Sequence, residues 1–525
     1  MPHWPKAILA LVALCLAAVP ARRDAAAADV AQLYGAHCAQ CHGAARLGGI
    51  GPALLPQNLR RLRKSRAVGV IAHGRPATQM PGFAEVLSDD EIAALTEFVY
   101  SPLGSLPRWG LAEINASHVV DEPALSLPDQ PVFRADPLNL FVVVESGDHH
   151  VTILDGDRFE PLHRFQSRFA LHGGPKFSPD GRFVYFGSRD GWVSKFDLYN
   201  LRLVAEVRAG INLRNIAISA DGRWLAAANY LPHTLVILDG RDLRPVKLMQ
   251  VADAKSGETS RVSAVYQARP RNSFIAALKD LPEIWEIATD PDAPPVYTGM
   301  VHSHEKGMVE AISSSQGLFA LRRIALDEPL DDFFFDQAYR NLIGSSRDGG
   351  RVVVVNLNVG RPIRGIELPG LPHLGSGISW RWQDRPVMAT PHLKQGKVSV
   401  IDMSDWSVLK TIDTLGPGFF MRSHENTPYA WVDVFFGPHR DVMHVIDKRS
   451  LEIVRTLRPE PGQTAAHVEF TRNGSHALVS LWEMDGAVIV YDAATLEEVK
   501  RLPMVKPSGK YNVFNKITFS AGTSH

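Results

Sequence analysis

The sequence has few cysteines, no charge imbalance and no long apolar run. Three cysteines in 525 residues exclude a disulfide-rich extracellular scaffold. Basic and acidic residues number 56 each, so the formal net charge is zero and nucleic acid is not an expected partner. No stretch beyond residue 28 contains 18 consecutive apolar residues, and we therefore expect no membrane span in the mature chain.

The N-terminus has the composition of an export signal. Lys6 precedes an apolar stretch over residues 7–20, and small residues at 26–28 offer a cleavage site before Asp29. We predict a signal peptide over residues 1–28 and a periplasmic location. The apolar stretch is too short and interrupted to span a bilayer comfortably, and a retained anchor is the alternative. Cleavage would remove Cys15 and leave two cysteines.

Those two cysteines stand in the sequence Cys38-Ala39-Gln40-Cys41-His42. C-x-x-C-H is the attachment motif of a c-type haem, because two thiols add to the vinyl groups of one porphyrin and the histidine ligates the iron. A structural zinc site is the alternative, but the chain has no second C-x-x-C to complete it. The motif predicts one covalent haem c, held by Cys38 and Cys41, with His42 as an axial ligand.

The sixth iron ligand should lie downstream on a loop. Met80 precedes Pro81 and Gly82, and a thioether opposite histidine is a common haem c arrangement. His73 is the rival ligand. Ser88 is followed by three acidic residues, which predicts a helix start with an N-cap and a favourable first turn. We therefore predict a small all-α class I cytochrome c domain over residues 29–104.

The chain from about residue 118 onward has a different amino-acid pattern from the N-terminal part. Short β-branched runs alternate with Gly, Asp, Asn and Pro, which is typical of strands and tight turns. The turn glycines Gly181 and Gly222 are 41 residues apart, and Gly474 follows 252 residues later, which is six steps of 42. After each turn glycine a second strand ends in aspartate, at Asp197, Asp239 and Asp492. This period predicts an all-β eight-bladed propeller over residues 118–525, with seven blades as the alternative.

A cytochrome c domain followed by a large propeller resembles the cytochrome cd1 family of denitrification, whose eight-bladed propeller holds haem d1. The resemblance covers the mature chain and depends on FALH at 169–172, LPHLGSG at 371–377, SHENT at 423–427 and PSGKYNVFN at 507–515. It implies a second, non-covalent tetrapyrrole, haem d1 or dihydro-haem d1. It also implies that His172 is the proximal ligand of the d1 iron and that His373 lies in the distal pocket.

Two departures from the nitrite-reducing members refine this resemblance. Those members carry a second distal histidine about one blade before the first, and here Asp331 occupies that region. Conversely, His467 stands where they usually have no histidine. The combination resembles the branch of the family that oxidises dihydro-haem d1, removing two electrons and two protons from a propionate to give the acrylate.

The resemblance therefore implies an oxidoreductase of haem d1 biosynthesis. Its substrate would be a tetrapyrrole, its electrons would leave through haem c to a periplasmic acceptor, and its product would pass to nitrite reductase. Two alternatives stay open. The first is a cytochrome cd1 nitrite reductase that forms nitric oxide, and the second is a non-enzymatic haem d1 carrier.

Propionate desaturation needs a base near the side chain and cationic anchors for carboxylates, within a wide and apolar cavity. A neutral histidine suits the base role because its unperturbed pKa is about 6.5. The acid–base and pocket candidates are His467, His373, His424 and Tyr511. The candidate anchors are Lys176, Arg189 and Arg214. The alternative for each anchor is an ordinary surface or inter-blade charge.

Overall fold

The computed structural model describes residues 29–75, 78–298, 313–346, 350–368 and 370–519. The predicted signal peptide, with Cys15, lies outside these residues. The chain divides into two compact units, residues 1–107 and 108–525. Within the described residues, no helix is long and apolar enough to cross a membrane.

The described part of the first unit is helical. Its helices are α1 (residues 29–37), α2 (Ala39–His42), α3 (Pro56–Leu59), α4 (Lys64–His73) and α5 (Asp89–Tyr100). Helix α5 begins as predicted, because the Glu91 amide donates to Ser88 Oγ at 3.3 Å while the Ser88 amide donates to Glu91 Oε2 at 2.8 Å. This reciprocal capping box satisfies two amides that the helix itself leaves unpaired. The buried face of α5 packs against Tyr34 of α1.

The second unit begins with helix α6 (Leu111–Ala116) and strand β1 (Val119–Val120), and then forms an eight-bladed propeller of four-stranded antiparallel sheets. Blade 1 contains β2 (Leu140–Glu145), β3 (His150–Asp155) and β4 (Glu160–Gln166). Blade 2 contains β5 (Lys176–Phe177), β6 (Phe183–Gly187), β7 (Trp192–Asp197) and β8 (Arg202–Arg208). Blade 3 contains β9 (Asn212–Ile218), β10 (Trp224–Leu231), β11 (Thr234–Asp239) and β12 (Pro245–Gln250). Blade 4 contains β13 (Val262–Ala268), β14 (Ser273–Leu278), β15 (Glu283–Ala288) and β18 (Leu321–Ala325), with the inserted pair β16 (Val296–Thr298) and β17 (Ser313–Ser315).

The remaining blades follow the same order. Blade 5 contains β19 (Leu330–Phe335), β20 (Asn341–Ser346), β21 (Arg351–Asn356) and β22 (Arg361–Glu367). Blade 6 contains β23 (Ile378–Trp382), β24 (Arg385–Pro391), β25 (Lys397–Asp402) and β26 (Val408–Asp413). Blade 7 contains β27 (Met421–Ser423), β28 (Tyr429–Asp433), β29 (Met443–Asp447) and β30 (Glu452–Leu457). Blade 8 contains β31 (Ala465–Phe470), β32 (His476–Leu481), β33 (Ala487–Asp492) and β34 (Glu498–Pro503). The chain ends with β35 (Pro507–Asn512) and helix α7 (Val513–Thr518).

Strand β35 closes the ring by joining the two ends of the propeller. It pairs with β2 and becomes the inner strand of blade 1, in a register that places Phe141 opposite Asn512 and Val144 opposite Gly509. Closure removes the open sheet edge that the first and last blades would otherwise present. The inner strands of the eight blades, which surround the propeller axis, are therefore β35, β5, β9, β13, β19, β23, β27 and β31.

The repeated turn chemistry explains why the sequence folds into these blades. The glycines of the first turn in blades 2, 3 and 8 have φ of +77°, +73° and +74°, a conformation that favours glycine. The third strand ends in Asp or Asn in every blade except blade 4. A side-chain oxygen of each of these residues accepts a hydrogen bond from the amide two positions on, at Asp155, Asp197, Asp239, Asn356, Asp402, Asp447 and Asp492. Such an Asx turn starts the connection to the outer strand.

The turn aspartates differ in burial, which gives a test of their contribution. Asp197 is fully buried, accepts from the Tyr199 amide at 2.9 Å and pairs with Arg182 at 2.8 Å. Replacing it with alanine should lower the free energy of unfolding by about 3–5 kcal/mol, because it removes the buried carboxylate that pairs with Arg182 and accepts from the Tyr199 amide. Asp239→Ala is the matched control, because Asp239 is partly exposed and lies 3.7 Å from Arg244. Urea unfolding measures both changes, and equal losses would contradict this account.

Candidate functional site

His42 has the geometry of an axial haem ligand. Its Nδ1 lies 2.7 Å from the Pro52 carbonyl oxygen, which can only accept, so Nδ1 carries the proton and Nε2 keeps its lone pair. Metal-ligating histidines are in general oriented by such a hydrogen bond from the ring nitrogen that does not bind the metal. Burial lowers the pKa of His42 and favours the neutral ring. A Cβ at Gly51 would lie 2.8 Å from the imidazole, so only glycine allows this approach.

The donor set in the first unit fits a c-type haem. Cys38 and Cys41 flank the start of α2, are partly buried and form no disulfide. Met80 is partly buried on its loop, where its amide lies 3.2 Å from Thr78 Oγ1, whereas His73 is exposed at the end of α4. These positions favour Met80 as the sixth ligand. Across the described ranges, no group of three or more His, Cys, Asp or Glu side chains is arranged to hold a metal ion.

In the second unit, polar side chains from all eight blades gather on or beside the inner strands. We call this group the axial cluster: His172, Lys176, Arg214, Tyr266, Asp332, His373, Arg422, His467, Lys510 and Tyr511. Electrostatic interactions cross the axis, since Lys176 of blade 2 is influenced by both Asp332 of blade 5 and Arg422 of blade 7. The cluster therefore forms one electrostatic site on the axis.

His172 lies just before β5 with its tautomer fixed. Arg189 Nη2 lies 2.6 Å from Nε2 and can only donate, so Nε2 is the acceptor and Nδ1 donates to the Arg214 carbonyl oxygen at 2.8 Å. The following Gly173 has φ of +84°, and a Cβ there would lie 2.7 Å from Asn215. The backbone therefore requires glycine at position 173. The His172 imidazole before it has its lone pair on Nε2.

His373 repeats this arrangement on the other side of the ring. Its Nδ1 donates to the Phe419 carbonyl oxygen at 2.6 Å, and its ring centroid lies 4.3 Å from that of Phe419. Burial lowers the pKa of His373, although Asp332 opposes the shift. His373 is therefore a neutral imidazole with a lone pair on Nε2, which suits a metal ligand or a base.

His467 is a bulged residue with a left-handed backbone. The register between β31 and β32 shifts between Ala466 and Val468, and His467 has φ of +49°. A bulge re-aims one side chain in a strand, and strained backbones of this kind concentrate at functional sites. The ring is 1% exposed and packs edge-on against Phe420 at 4.7 Å and Tyr511 at 5.1 Å.

The imidazole of His467 is poised electrostatically as well. Neither ring nitrogen has a hydrogen-bond partner among the residues that the structure describes. Burial holds the pKa of His467 well below the usual histidine value, and Lys510, Arg422 and Lys516 lower it further. His467 is therefore neutral at pH 7 and has an acceptor nitrogen without a hydrogen bond. A buried polar atom in this state costs folding stability.

The axial cluster contains several cationic side chains, among them the expected anchors Lys176 and Arg214. Lys510 is fully buried and donates to the His467 carbonyl oxygen and to Ser480 Oγ. Burial lowers the pKa of Lys176 to about 8 and that of Lys516, on α7, to about 7. Arg422 is buried, and its Nε has no partner within the described part of the chain. Buried cations of this density favour a polyanionic ligand.

His424, a candidate site residue, and Asp331, in the region of the missing distal histidine, both lie outside the axial cluster. His424 is fully buried, with Nδ1 accepting from the Asn426 amide and Nε2 donating to the Arg472 carbonyl oxygen, both at 3.1 Å. Both ring nitrogens are thus engaged in packing blade 7 against blade 8, so the structure gives His424 a structural role. Asp331 forms an ion pair with Lys279.

The acidic residue that belongs to the cluster is Asp332, next to Asp331. It accepts from the Tyr266 hydroxyl at 2.9 Å and from the Gly375 amide at 3.0 Å. A Cβ at Gly375 would lie 2.2 Å from this carboxylate. The residues that sequence reasoning missed are Tyr266, Asp332, Arg422, Lys510 and Lys516. The inner-strand position of most of them was the available signal, since each blade contributes its first strand to the axis.

Comparison with known proteins gives the family. A family model described as "Cytochrome D1 heme domain" matches residues 135–305 and 303–516, and one described as "Cytochrome C oxidase, cbb3-type, subunit III" matches residues 25–99. The chain belongs to the cytochrome d1 haem-domain family. This membership confirms the resemblance predicted from the sequence, as well as a helical cytochrome c domain followed by an eight-bladed propeller.

Within the cytochrome d1 haem-domain family, the relatives differ strongly in similarity. This chain is 56% identical over 493 residues to dihydro-heme d1 dehydrogenase of Pseudomonas aeruginosa, covering 94% of the chain and 95% of the relative. It is 25% identical to nitrite reductase of Stutzerimonas stutzeri, covering 92% of each. The solved structure of dihydro-heme d1 dehydrogenase NirN in complex with DHE matches 93% of this chain and 99% of its own, with 56% identity and a TM-score of 0.86.

The haem c ligands of this cytochrome d1 family member are testable by spectroscopy. Haem staining of the denatured protein should persist in wild type, Met80→Ala and His73→Ala, because attachment depends on Cys38 and Cys41. The weak near-infrared sulfur-to-iron band of the oxidised protein should disappear in Met80→Ala and remain in His73→Ala. The reverse pattern would assign the ligand to His73, and loss of all stain on acid–acetone extraction would exclude covalent haem.

Proposed function

We propose that this protein oxidises dihydro-haem d1 to haem d1 by converting a propionate side chain into an acrylate. The support from similarity is 56% identity over nearly the whole chain to dihydro-heme d1 dehydrogenase, against 25% to nitrite reductase. The observation in the molecule that carries the proposal is His467, a buried neutral imidazole without a partner among the described residues, beside Tyr511 in a cationic site.

The reaction removes one hydrogen from each of two adjacent carbons of the propionate. Two C–H bonds break, one C=C bond forms, and two electrons and two protons leave the substrate. Haem c, when bound, supplies a one-electron acceptor, so the two electrons leave in successive steps to a periplasmic acceptor protein. The propeller has to bind the tetrapyrrole, orient the propionate, receive the first proton at a base and release the second proton to solvent.

Binding is assigned to fixed imidazoles and buried cations. His172 and His373 both keep a lone pair on Nε2 because Nδ1 donates to a carbonyl oxygen, and we assign both to the substrate iron. Arg189 must withdraw from His172 Nε2 when the iron binds there. The substrate carboxylates pair with Lys176, Arg214 and Arg422 of the axial cluster, and with Arg189 and Lys516 beside it.

Proton abstraction is assigned to His467. Its unused nitrogen accepts a proton from the propionate, and Tyr511 limits the ring's orientation at a centroid distance of 5.1 Å. The cations that keep His467 neutral in the free protein are offset when the substrate carboxylates bind, so protonation of the ring becomes less costly. His373 is less suited as the base, because its available nitrogen is assigned to the iron.

The proposed setting is the periplasm, with the N-terminal 28 residues as the export signal and nitrite reductase as the recipient of the product. Nitrite reduction has less support as an activity. In the region of the second distal histidine, Asp331 pairs with Lys279 and Asp332 accepts a hydrogen bond from Tyr266, so neither aspartate takes the place of that histidine with a free side chain. A carrier without enzymatic activity leaves the c-type haem motif unexplained.

The activity is tested by aerobic incubation of the purified holoprotein with dihydro-haem d1. The visible spectrum should change to that of haem d1, with electrons recovered on an added acceptor. Nitrite turnover with a reduced donor should stay far below the few per second typical of enzymes. Nitrite turnover at that rate, or no spectral conversion of the precursor, would contradict the proposal.

The role of His467 is tested by His467→Gln. We expect dihydro-haem d1 to bind with its iron ligands intact and conversion to fall about 100-fold or more, the usual scale for loss of a general base. His476→Gln is the matched control, because His476 lies on the same blade with its Nδ1 2.8 Å from Ser475 Oγ, outside the axial cluster. Undiminished conversion by His467→Gln would remove this residue from the mechanism.

The depressed lysine pKa values predict pH-dependent substrate binding. Lys516 and Lys176, with pKa values of about 7 and 8, lose their charge as the pH rises through that range. Carboxylate binding favours the protonated lysines, so the dissociation constant should rise between pH 6 and 9, by at most about tenfold per pH unit for each lysine. Spectroscopic titration measures this change. Lys516→Arg stays charged and should reduce the rise above pH 7; an unchanged pH profile would exclude Lys516.

A further inference from the structure

One buried carboxylate connects the two histidines on which the proposed function depends. Asp433 ends β28 of blade 7 and is fully buried. Its Oδ1 accepts from the amides of Phe419, at 2.7 Å, and Phe420, at 3.0 Å. Its Oδ2 accepts from the amide of His467, at 3.3 Å. Three main-chain donors on two different blades therefore converge on a single side chain.

The bond to Phe419 reaches His373 in one further step. The Phe419 amide donates to Asp433, and the Phe419 carbonyl oxygen accepts from His373 Nδ1 at 2.6 Å. That second bond fixes the tautomer and the ring orientation of His373. The position of the Phe419 main chain thus decides where His373 directs its Nε2, and Asp433 holds that main chain from the opposite side.

The bond to His467 acts on a backbone that needs support. His467 has φ of +49°, which a residue with a Cβ adopts at an energetic cost. The Asp433 carboxylate satisfies the amide of this bulged residue, while Lys510 donates to its carbonyl oxygen. The side chains of Asp433 and Lys510 therefore hold the peptide groups on either side of the His467 Cα, and the ring takes its direction from them.

We propose that Asp433 is a positioning residue that aligns His373 and His467 with each other across blades 6, 7 and 8. It acts through the main chain of Phe419 and His467 and makes no contact with the substrate. This inference rests on the proposed function, since it assigns Asp433 to the alignment of the proposed iron ligand with the proposed base. Small misplacements of such groups cost large factors in rate.

The test replaces Asp433 with asparagine, which keeps the shape but turns one acceptor into a donor that faces an amide. In Asp433→Asn we expect kcat for conversion of dihydro-haem d1 to fall about 10- to 100-fold with a smaller change in KM. We also expect the visible spectrum of the bound precursor to change, because His373 ligation is disturbed. Circular dichroism and haem staining should match wild type.

Asp441→Asn is the matched control. Asp441 is also a buried carboxylate of blade 7, and it accepts from the Gly462 amide at 3.1 Å and from Arg458 at 2.7 Å, apart from both histidines. Its substitution should affect stability while leaving kcat and the spectrum of the bound precursor unchanged. The same loss of kcat in both variants would reduce Asp433 to a general structural role and overturn the inference.

Two further outcomes separate this inference from the proposed function. If wild type converts the precursor and Asp433→Asn matches it in kcat and spectrum, the positioning role is wrong while the function stands. If wild type fails to convert the precursor, the function is wrong, and the spectrum of the bound precursor still decides whether Asp433 positions His373. Should Asp433→Asn fail to fold, Asp433→Glu keeps the charge with a longer arm, and an unchanged kcat and spectrum there would overturn the inference.

Discussion

The pairing of β35 with β2 is the interaction on which the rest of the structure depends. The last strand of the chain supplies the inner strand of the first blade, so the ring exists only when the two ends of the propeller meet. The same strand carries Lys510 and Tyr511, and α7, which follows directly, carries Lys516. Closure of the fold and completion of the cationic axis are therefore one event. A propeller without this strand would have an open sheet edge and would lose part of the burial around His467, which is the main cause of its lowered pKa.

Concentrating cations on the axis has a cost that explains the remaining features of the site. Burial lowers the pKa of Lys176 to about 8 and that of Lys516, whose Nζ lies 3.9 Å from Glu469 Oε2, to about 7. The electrostatic free energy of these buried cations is therefore unfavourable without an anion and improves when an anion binds. In the proposed function, a tetrapyrrole with several carboxylates reduces the repulsion among these cations. This reduction adds to the binding energy that iron ligation supplies.

Much of the fold could be predicted from the sequence, because the turns repeat. Three glycine turns and three strand-ending aspartates were enough to establish a 42-residue period, and each of these residues has the expected turn conformation. The sequence also indicated the haem c motif, and it indicated His172, His373, His467 and Tyr511, which the structure places in the axial cluster. His424 was not correctly placed, because nothing in the sequence indicates that the Asn426 amide and the Arg472 carbonyl oxygen engage both ring nitrogens.

The choice between Asp331 and Asp332 could not be made from the sequence for a different reason, which shows how this architecture changes its site. Side chains alternate along a strand, so one of two adjacent aspartates should face the axis, but a bulge between Leu330 and Asp332 resets the alternation. Asp331 consequently turns to Lys279, and Asp332 reaches Tyr266. The bulge at His467 resets blade 8 in the same way and buries an imidazole on the axis. Repeated turns keep the blades constant, while inner-strand bulges decide which side chain each blade presents to the ligand.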